Sequence, residues 1–203
     1  ISYPNIQDNT LNAPLLAQKL QSFIQRIRAG EFYESKKISA KKVDIIAHSM
    51  GGLVTRYYIG NLYQSDIRKF IMIGTPNHGS WDAKLLPKSV LGWDVGGVAA
   101  QQLRPNSAFL NALNAQGLNP DIEYHTIAGT GWLTDAAFLD VSWEGDGIVL
   151  VESVMLPSVP LYCTYDAHSS EIYWLGFMSA TAFGNNGGGW TDSQGGTLTT
   201  SDA

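Results

Sequence analysis

The run Val43-Asp44-Ile45-Ile46-Ala47-His48-Ser49-Met50-Gly51-Gly52 constrains this 203-residue chain more than any other stretch. Its first five residues form a short, mostly apolar run of the kind that fills a buried parallel strand. A sharp glycine-bearing turn follows, and Leu53 to Tyr63 reads as a helix. A strand that enters a helix through so tight a turn strains the residue at its tip and projects that side chain above the sheet. Small residues are needed two before and two after the tip, because strand and helix pass close there. Ala47 and Gly51 meet that demand on either side of Ser49. The pattern is the G-x-S-x-G nucleophile elbow with Ala in place of the first Gly. The helix amino terminus beneath Ser49 also brings backbone N–H groups to where an oxyanion would form.

The rest of the chain supplies the setting such a turn requires. Asn12 is an N-cap with Pro14 in the first turn. Leu16, Leu20, Phe23, Ile24 and Ile27 recur at helical spacing until Gly30 ends the helix. Phe70-Ile71-Met72-Ile73-Gly74 reads as a second buried strand, and Ile122–Ala128 and Leu161–Tyr165 as two more. A helical pattern then runs from Ser170 to about Ala182. Strands alternating with helices predict an α/β fold, a mostly parallel sheet with helices on both faces. Ligands in such sheets sit beyond the carboxyl ends of the strands.

A serine nucleophile needs a base, and the base needs an orienting acid. Of the four histidines, His48 lies inside the elbow beside Ser49, with its side chain directed away from it. His78 stands in a turn with Asn77 and Gly79, where structural use is favoured. His125 lies mid-strand and reads as a sheet residue. His168 follows the last strand, immediately before the final helical pattern, and is the predicted base. For the acid, Asp146 stands between Gly145 and Gly147 in a loop after a strand. An Asp in a glycine turn can be purely structural. The chain order Ser49, Asp146, His168 nevertheless matches the order that a hydrolase sheet demands. Asp140 and Asp166 are the fallback acids.

Composition removes whole classes of function. Only 15% of residues are charged, against about 25% in ordinary domains. The signs are segregated: all 13 Lys and Arg lie at or before Arg104, giving +6 up to that residue and −11 beyond it. A net acidic chain without a basic arm argues against nucleic acid as a partner. The cluster Lys36, Lys37, Lys41, Lys42 reads as solvated loop charge. Apolar runs fall short of the ~18–20 residues of a membrane span. The single Cys163 excludes a disulfide framework and reads as a structural thiol. No cofactor is implied, and no metal-ligand spacing is specific enough to name ligands. From Gly184 the sequence turns to Gly, Asn, Ser and Thr, which reads as a flexible tail over 184–203 after a folded unit of about 1–183.

Together these residues resemble a bacterial triacylglycerol lipase or esterase of the α/β-hydrolase fold. The stretch from Val43 to Tyr57 is similar to the elbow of secreted lipases, and Ala47 to the variant found in Bacillus lipases. Gly74-Thr75-Pro76-Asn77-His78-Gly79-Ser80 resembles the turn after the next strand, and Gln102 to Leu110 a segment of related esterases. Gly145-Asp146-Gly147-Ile148-Val149 resembles the acid loop, and the residues around His168 the histidine loop. The resemblance implies a secreted enzyme that hydrolyses small-molecule or lipid esters through Ser49, His168 and Asp146. The Met50 backbone N–H would be one oxyanion donor. In that family the opening strand ends in a His-Gly motif, whose loop supplies the second donor. Nothing here matches it, and Ile1-Ser2-Tyr3-Pro4 resembles the strand after that loop. The expectation is therefore a hydrolase domain lacking its N-terminal strands, which a missing segment or a second polypeptide would supply.

Between Ser80 and Gln116 the sequence holds many apolar residues at the carboxyl end of the sheet. They fit a lid or acyl-chain pocket in transient contact with a lipid interface, or ordinary helical core. Trp81, Leu85, Leu91 and Trp93 are the predicted substrate contacts. Competing readings are an acyltransferase or polyester depolymerase with the same triad, and an incomplete hydrolase acting only as a binding domain.

Overall fold

A computed structural model describes residues 12–32, 39–80, 98–130, 132–134, 143–165, 190–192 and 197–198. Helix α1 spans Ala13–Arg28 and begins as its sequence requires: Asn12 Oδ1 accepts the Leu15 N–H at 3.0 Å, with Pro14 in the first turn. At its other end the Gly30 N–H donates to Ile27 O at 3.0 Å, closing the helix at the predicted stop. The elements β1 (Val43–His48), α2 (Met50–Asn61) and β2 (Ile67–Ile73) follow. Next come α3 (Val98–Gln102), α4 (Ala108–Ala115) and β3 (Glu123–Gly129). An antiparallel pair, β4 (Trp132–Thr134) and β5 (Trp143–Gly145), leads to α5 (Val151–Val154) and β6 (Leu161–Thr164). The short strands β7 (Trp190–Asp192) and β8 (Thr197–Leu198) complete the order.

The main sheet runs β1-β2-β3-β6-β7-β8. Its first four strands are parallel, and the last two join antiparallel. Within the 184–203 stretch, whose composition reads as a tail, Trp190–Asp192 and Thr197–Leu198 thus pair at the sheet edge. Thr and Trp favour the pleated conformation, and the surrounding glycines mask that preference in a composition average.

One face of the parallel strands carries the core. Ile45 stands beside Phe70 and Phe70 beside Tyr124, so one row crosses three strands. On it lie Leu16, Leu20 and Ile24 of α1 and Val54, Tyr58 and Ile59 of α2. Burying each such side chain stabilises the fold by about 1.5–3 kcal/mol. The opposite face differs from the expectation for β1. Asp44, Ile46 and His48 are exposed, Ile46 at 68%, so this strand is covered on one side among the described residues. A short apolar run fits a strand buried on one face or on both, and sequence period cannot say which. The helix expected over 170–182 lies outside the described residues.

Under α2 lies a buried polar pair. The Tyr58 hydroxyl donates to Asp66 Oδ2, and Arg28 Nη1 stands 4.0 Å from the same oxygen. Asp66 and Tyr58 are both fully buried. Burial first, and then the bond to Asp66, holds the Tyr58 phenol well above its ordinary pKa. Tyr58→Phe would remove the donor and leave the carboxylate buried. We expect a loss of about 1–3 kcal/mol in stability, measured as a lower urea midpoint with an unchanged slope.

Candidate active site

Ser49 occupies the turn between β1 and α2 with φ 54° and ψ −132°. A non-glycine residue with positive φ is uncommon, and holding one typically costs about 1–3 kcal/mol. The surroundings over-determine the turn. The Ser49 N–H donates to Ile73 O at 2.9 Å, which ties the tip to the end of β2, and the Gly52 N–H donates to Ser49 O at 3.0 Å. The Ser49 side chain therefore leaves a strained tip beyond the carboxyl end of β1, as its spacing predicts. Met50 opens α2 and packs against both core clusters that meet there.

The small-residue requirement falls one position later than the sequence suggests. A Cβ on Gly51 would stand 3.7 Å from Ala47 Cβ, an ordinary contact. A Cβ on Gly52 would overlap the Thr75 side chain, reaching Thr75 Cβ at 2.8 Å. Gly52 is thus where α2 approaches the loop leaving β2, and no five-residue motif reveals it. Thr75 is fully buried, and its Oγ1 has no hydrogen-bond partner.

Asp146 follows β5, in the excursion that leaves the carboxyl end of β3, and is 2% exposed. Its Oδ1 accepts the N–H groups of Ile148 at 3.0 Å and Val149 at 2.7 Å, while its own N–H donates to Val149 O at 3.2 Å. Gly147, at φ 92°, provides the left-handed residue inside this turn. The carboxylate is therefore anchored by its own loop, as an orienting acid must be. His168, the predicted base, lies outside the described residues, as do the fallback acids Asp140 and Asp166. Trp81, Leu85, Leu91 and Trp93 lie outside them too. Within the 80–116 segment, Leu103, Leu110 and Leu113 are buried against Leu53 of α2.

Two of the other histidines are engaged elsewhere. His78 Nε2 stands 3.1 Å from Met155 O, and His125 Nε2 stands 2.8 Å from Glu123 Oε1 on the same strand.

Sequence reasoning passed over the residue that joins these parts. Asn77 is fully buried. Its Oδ1 accepts from Arg56 Nη1 of α2 at 3.1 Å, and its Nδ2 donates to Val154 O of α5 at 2.7 Å. Beside it Ser153 Oγ donates to Gly79 O at 2.6 Å, and Ser80 Oγ donates to Ile148 O. The loop after β2 thereby holds α2, α5 and the turn around Asp146 as one unit. The resemblance of residues 74–80 to a lipase turn marked the place without assigning Asn77 a role.

Residues 12–83 match the family described as a PGAP1-like alpha/beta domain. Phospholipase PlaB from Legionella pneumophila, solved in complex with thio-NAD, is similar in structure, with a TM-score of 0.56 and 21% identity. The match covers 73% of this chain and 33% of PlaB. The mature Bacillus licheniformis lipase BlEst2 is similar at a TM-score of 0.53 and 22% identity, over 75% of this chain and 64% of BlEst2. The chain thus spans about a third of PlaB and just under two thirds of mature BlEst2. No curated protein sequence matches it. A parallel sheet with packed helices, shared with these lipases, defines an α/β-hydrolase-like fold. Among the described residues, no helix is long and apolar enough to cross a membrane.

Two substitutions separate the glycines. Gly51→Ala should be neutral or slightly stabilising, because Ala exceeds Gly in helix propensity by about 1 kcal/mol. Gly52→Ala should destabilise by about 1–3 kcal/mol through overpacking on Thr75. Asn77→Ala should cost more, about 2–5 kcal/mol, since it strands a buried guanidinium and a buried carbonyl. Guanidinium chloride unfolding of the three variants checks this ranking.

Proposed function

We propose that the chain is a serine carboxylester hydrolase of the lipase and esterase type. The observation that carries this reading is Ser49 itself, a strained residue at a strand-to-helix junction beneath which a helix begins. The anchored Asp146, the chain order of the three residues and the lipase and phospholipase names of the structural neighbours support it. His168 takes the Ser49 proton as Oγ attacks the ester carbonyl. The negative oxygen that develops meets the Met50 N–H and a second donor. Asp146 holds the imidazole in the tautomer that accepts this proton. His168 then returns the proton to the leaving alkoxide, which departs as the alcohol and leaves an acyl-enzyme. Water, activated by the same imidazole, releases the acid. Losing one oxyanion donor costs about 10²–10³ in rate, so the source of the second donor governs how active this chain is.

The substrates in this reading are acyl esters, triacylglycerols among them, with Trp81, Leu85, Leu91 and Trp93 in contact with the acyl chain. The segment 80–116 would act as lid or acyl pocket at a lipid interface, in a secreted bacterial enzyme that needs no cofactor.

A fluorophosphonate probe followed by peptide mass spectrometry tests the assignment. Labelling should fall on Ser49 and vanish in Ser49→Ala and His168→Ala, since loss of a triad member costs about 10⁴–10⁶ in turnover. Asp146→Asn should slow labelling strongly while leaving the fold intact. Absence of labelling, or labelling at another residue, overturns the reading.

A further inference from the structure

A cavity of about 450 Å³ is lined by neither Ser49 nor Asp146. It opens among the amino end of β3, the segment before β6, the middle of α2 at Arg56, the carboxyl end of α4 and His78 of the loop after β2. Ser49, by contrast, follows the carboxyl end of β1, which runs parallel to β2 and through it to β3. The size falls within the range of about 300–1,000 Å³ that holds small organic ligands. Its walls are mostly apolar, with Leu118, Ile122 and Leu156 among them.

Its polar lining residues are Arg56, His78, Asn114, Tyr124 and Ser158. Arg56 lines the cavity while only 5% exposed. Its guanidinium donates to Asn77 Oδ1 at 3.1 Å and, more weakly, to Leu113 O at 3.5 Å. Both acceptors are neutral, and no carboxylate among the described residues pairs with Arg56. Two neutral bonds leave donors of a five-donor fork to spare. Burial pushes the guanidinium pKa down to about 10, as expected of a cation that lacks a counter-charge. Tyr124 stands on the same wall, and its hydroxyl accepts the Asn119 N–H at 3.2 Å, which leaves its own proton for another acceptor. Asn114, also on the wall, has a buried Oδ1 with no partner among the described residues, suited to a donor such as water or a protonated ligand oxygen.

A buried cation is costly unless an opposite charge meets it. An apolar cavity with one such cation and a phenolic donor selects a particular chemistry. We propose that this cavity binds a small amphiphilic anion, a carboxylate or phosphate head on a short alkyl tail, with Arg56 as the counter-ion and Tyr124 as a second donor. The tail lies against Leu118, Ile122 and Leu156. This site is separate from the proposed ester-hydrolysing site and does not depend on Ser49 being a nucleophile.

Isothermal titration of the full chain with octanoate, octyl phosphate and 1-octanol tests the proposal. At least one anion should bind ten times more tightly than the alcohol, and the tighter anion identifies the head group. Ser49→Ala should leave that affinity unchanged, so failure of the hydrolase reading and failure of this one are distinguishable. Arg56→Gln keeps an amide beside Asn77 but removes the charge, and should weaken anion binding at least tenfold. Leu118→Trp fills the cavity with Arg56 still in place and should weaken it as much. This second variant decides the matter if Arg56→Gln does not fold. Equal binding of alcohol and anion, no anion binding at millimolar concentration, or undiminished binding by folded Leu118→Trp overturns the proposal.

Discussion

The amide of Asn77 is the contact on which the site geometry depends. It is fully buried and meets two groups that must not be left alone, a guanidinium of α2 and a carbonyl of α5. Inside a low-dielectric interior such bonds are strong and their absence is costly. Because the same loop is tied at Gly79 to Ser153 and at Ser80 to Ile148, α2 and the turn around Asp146 cannot drift apart independently. Positioning of this kind matters for a triad, whose parts lie far apart in sequence and act only within hydrogen-bond reach of one another.

That clamp also makes the strain at Ser49 tenable. A left-handed serine would relax if either flank could move. Its N–H is held by β2, and α2 is wedged against Thr75 with no room for a side chain at Gly52. The same crowding explains why the loop after β2 is polar yet buried. It must satisfy Arg56, Val154 and the backbone of residues 79 and 153 within a space that admits few side-chain atoms. Arg56, bonded to that loop through Asn77, also lines an apolar cavity, so the same packing serves both places.

The two faces of the sheet carry unequal burdens. One is filled by α1 and α2 over Phe70, Met72 and Tyr124. On the other, β1 presents Ile46 to solvent among the described residues, and its Asp44 pairs with Arg68 of β2 in the open. An exposed charge pair of that kind contributes little. Among the described residues, the apolar burial of the parallel strands lies chiefly on the helix-covered face.

By itself the sequence determined the local events: the cap at Asn12, the stop at Gly30, four parallel strands and a strained serine between β1 and α2. Each follows from a few neighbouring residues whose backbone preferences or spacing admit one outcome. The turn at Asp146 was legible for the same reason, since an Asp between glycines bonds its own backbone. Only the tertiary structure decided which glycine of the pair is indispensable, that Asn77 joins α2 to α5, and that Arg56 is buried with no counter-charge among the described residues. It also decided that, among the described residues, β1 is covered on a single face. These properties depend on residues 21 to 77 positions apart meeting in space, and chain-local pattern carries no information about which distant groups will share a desolvated interior.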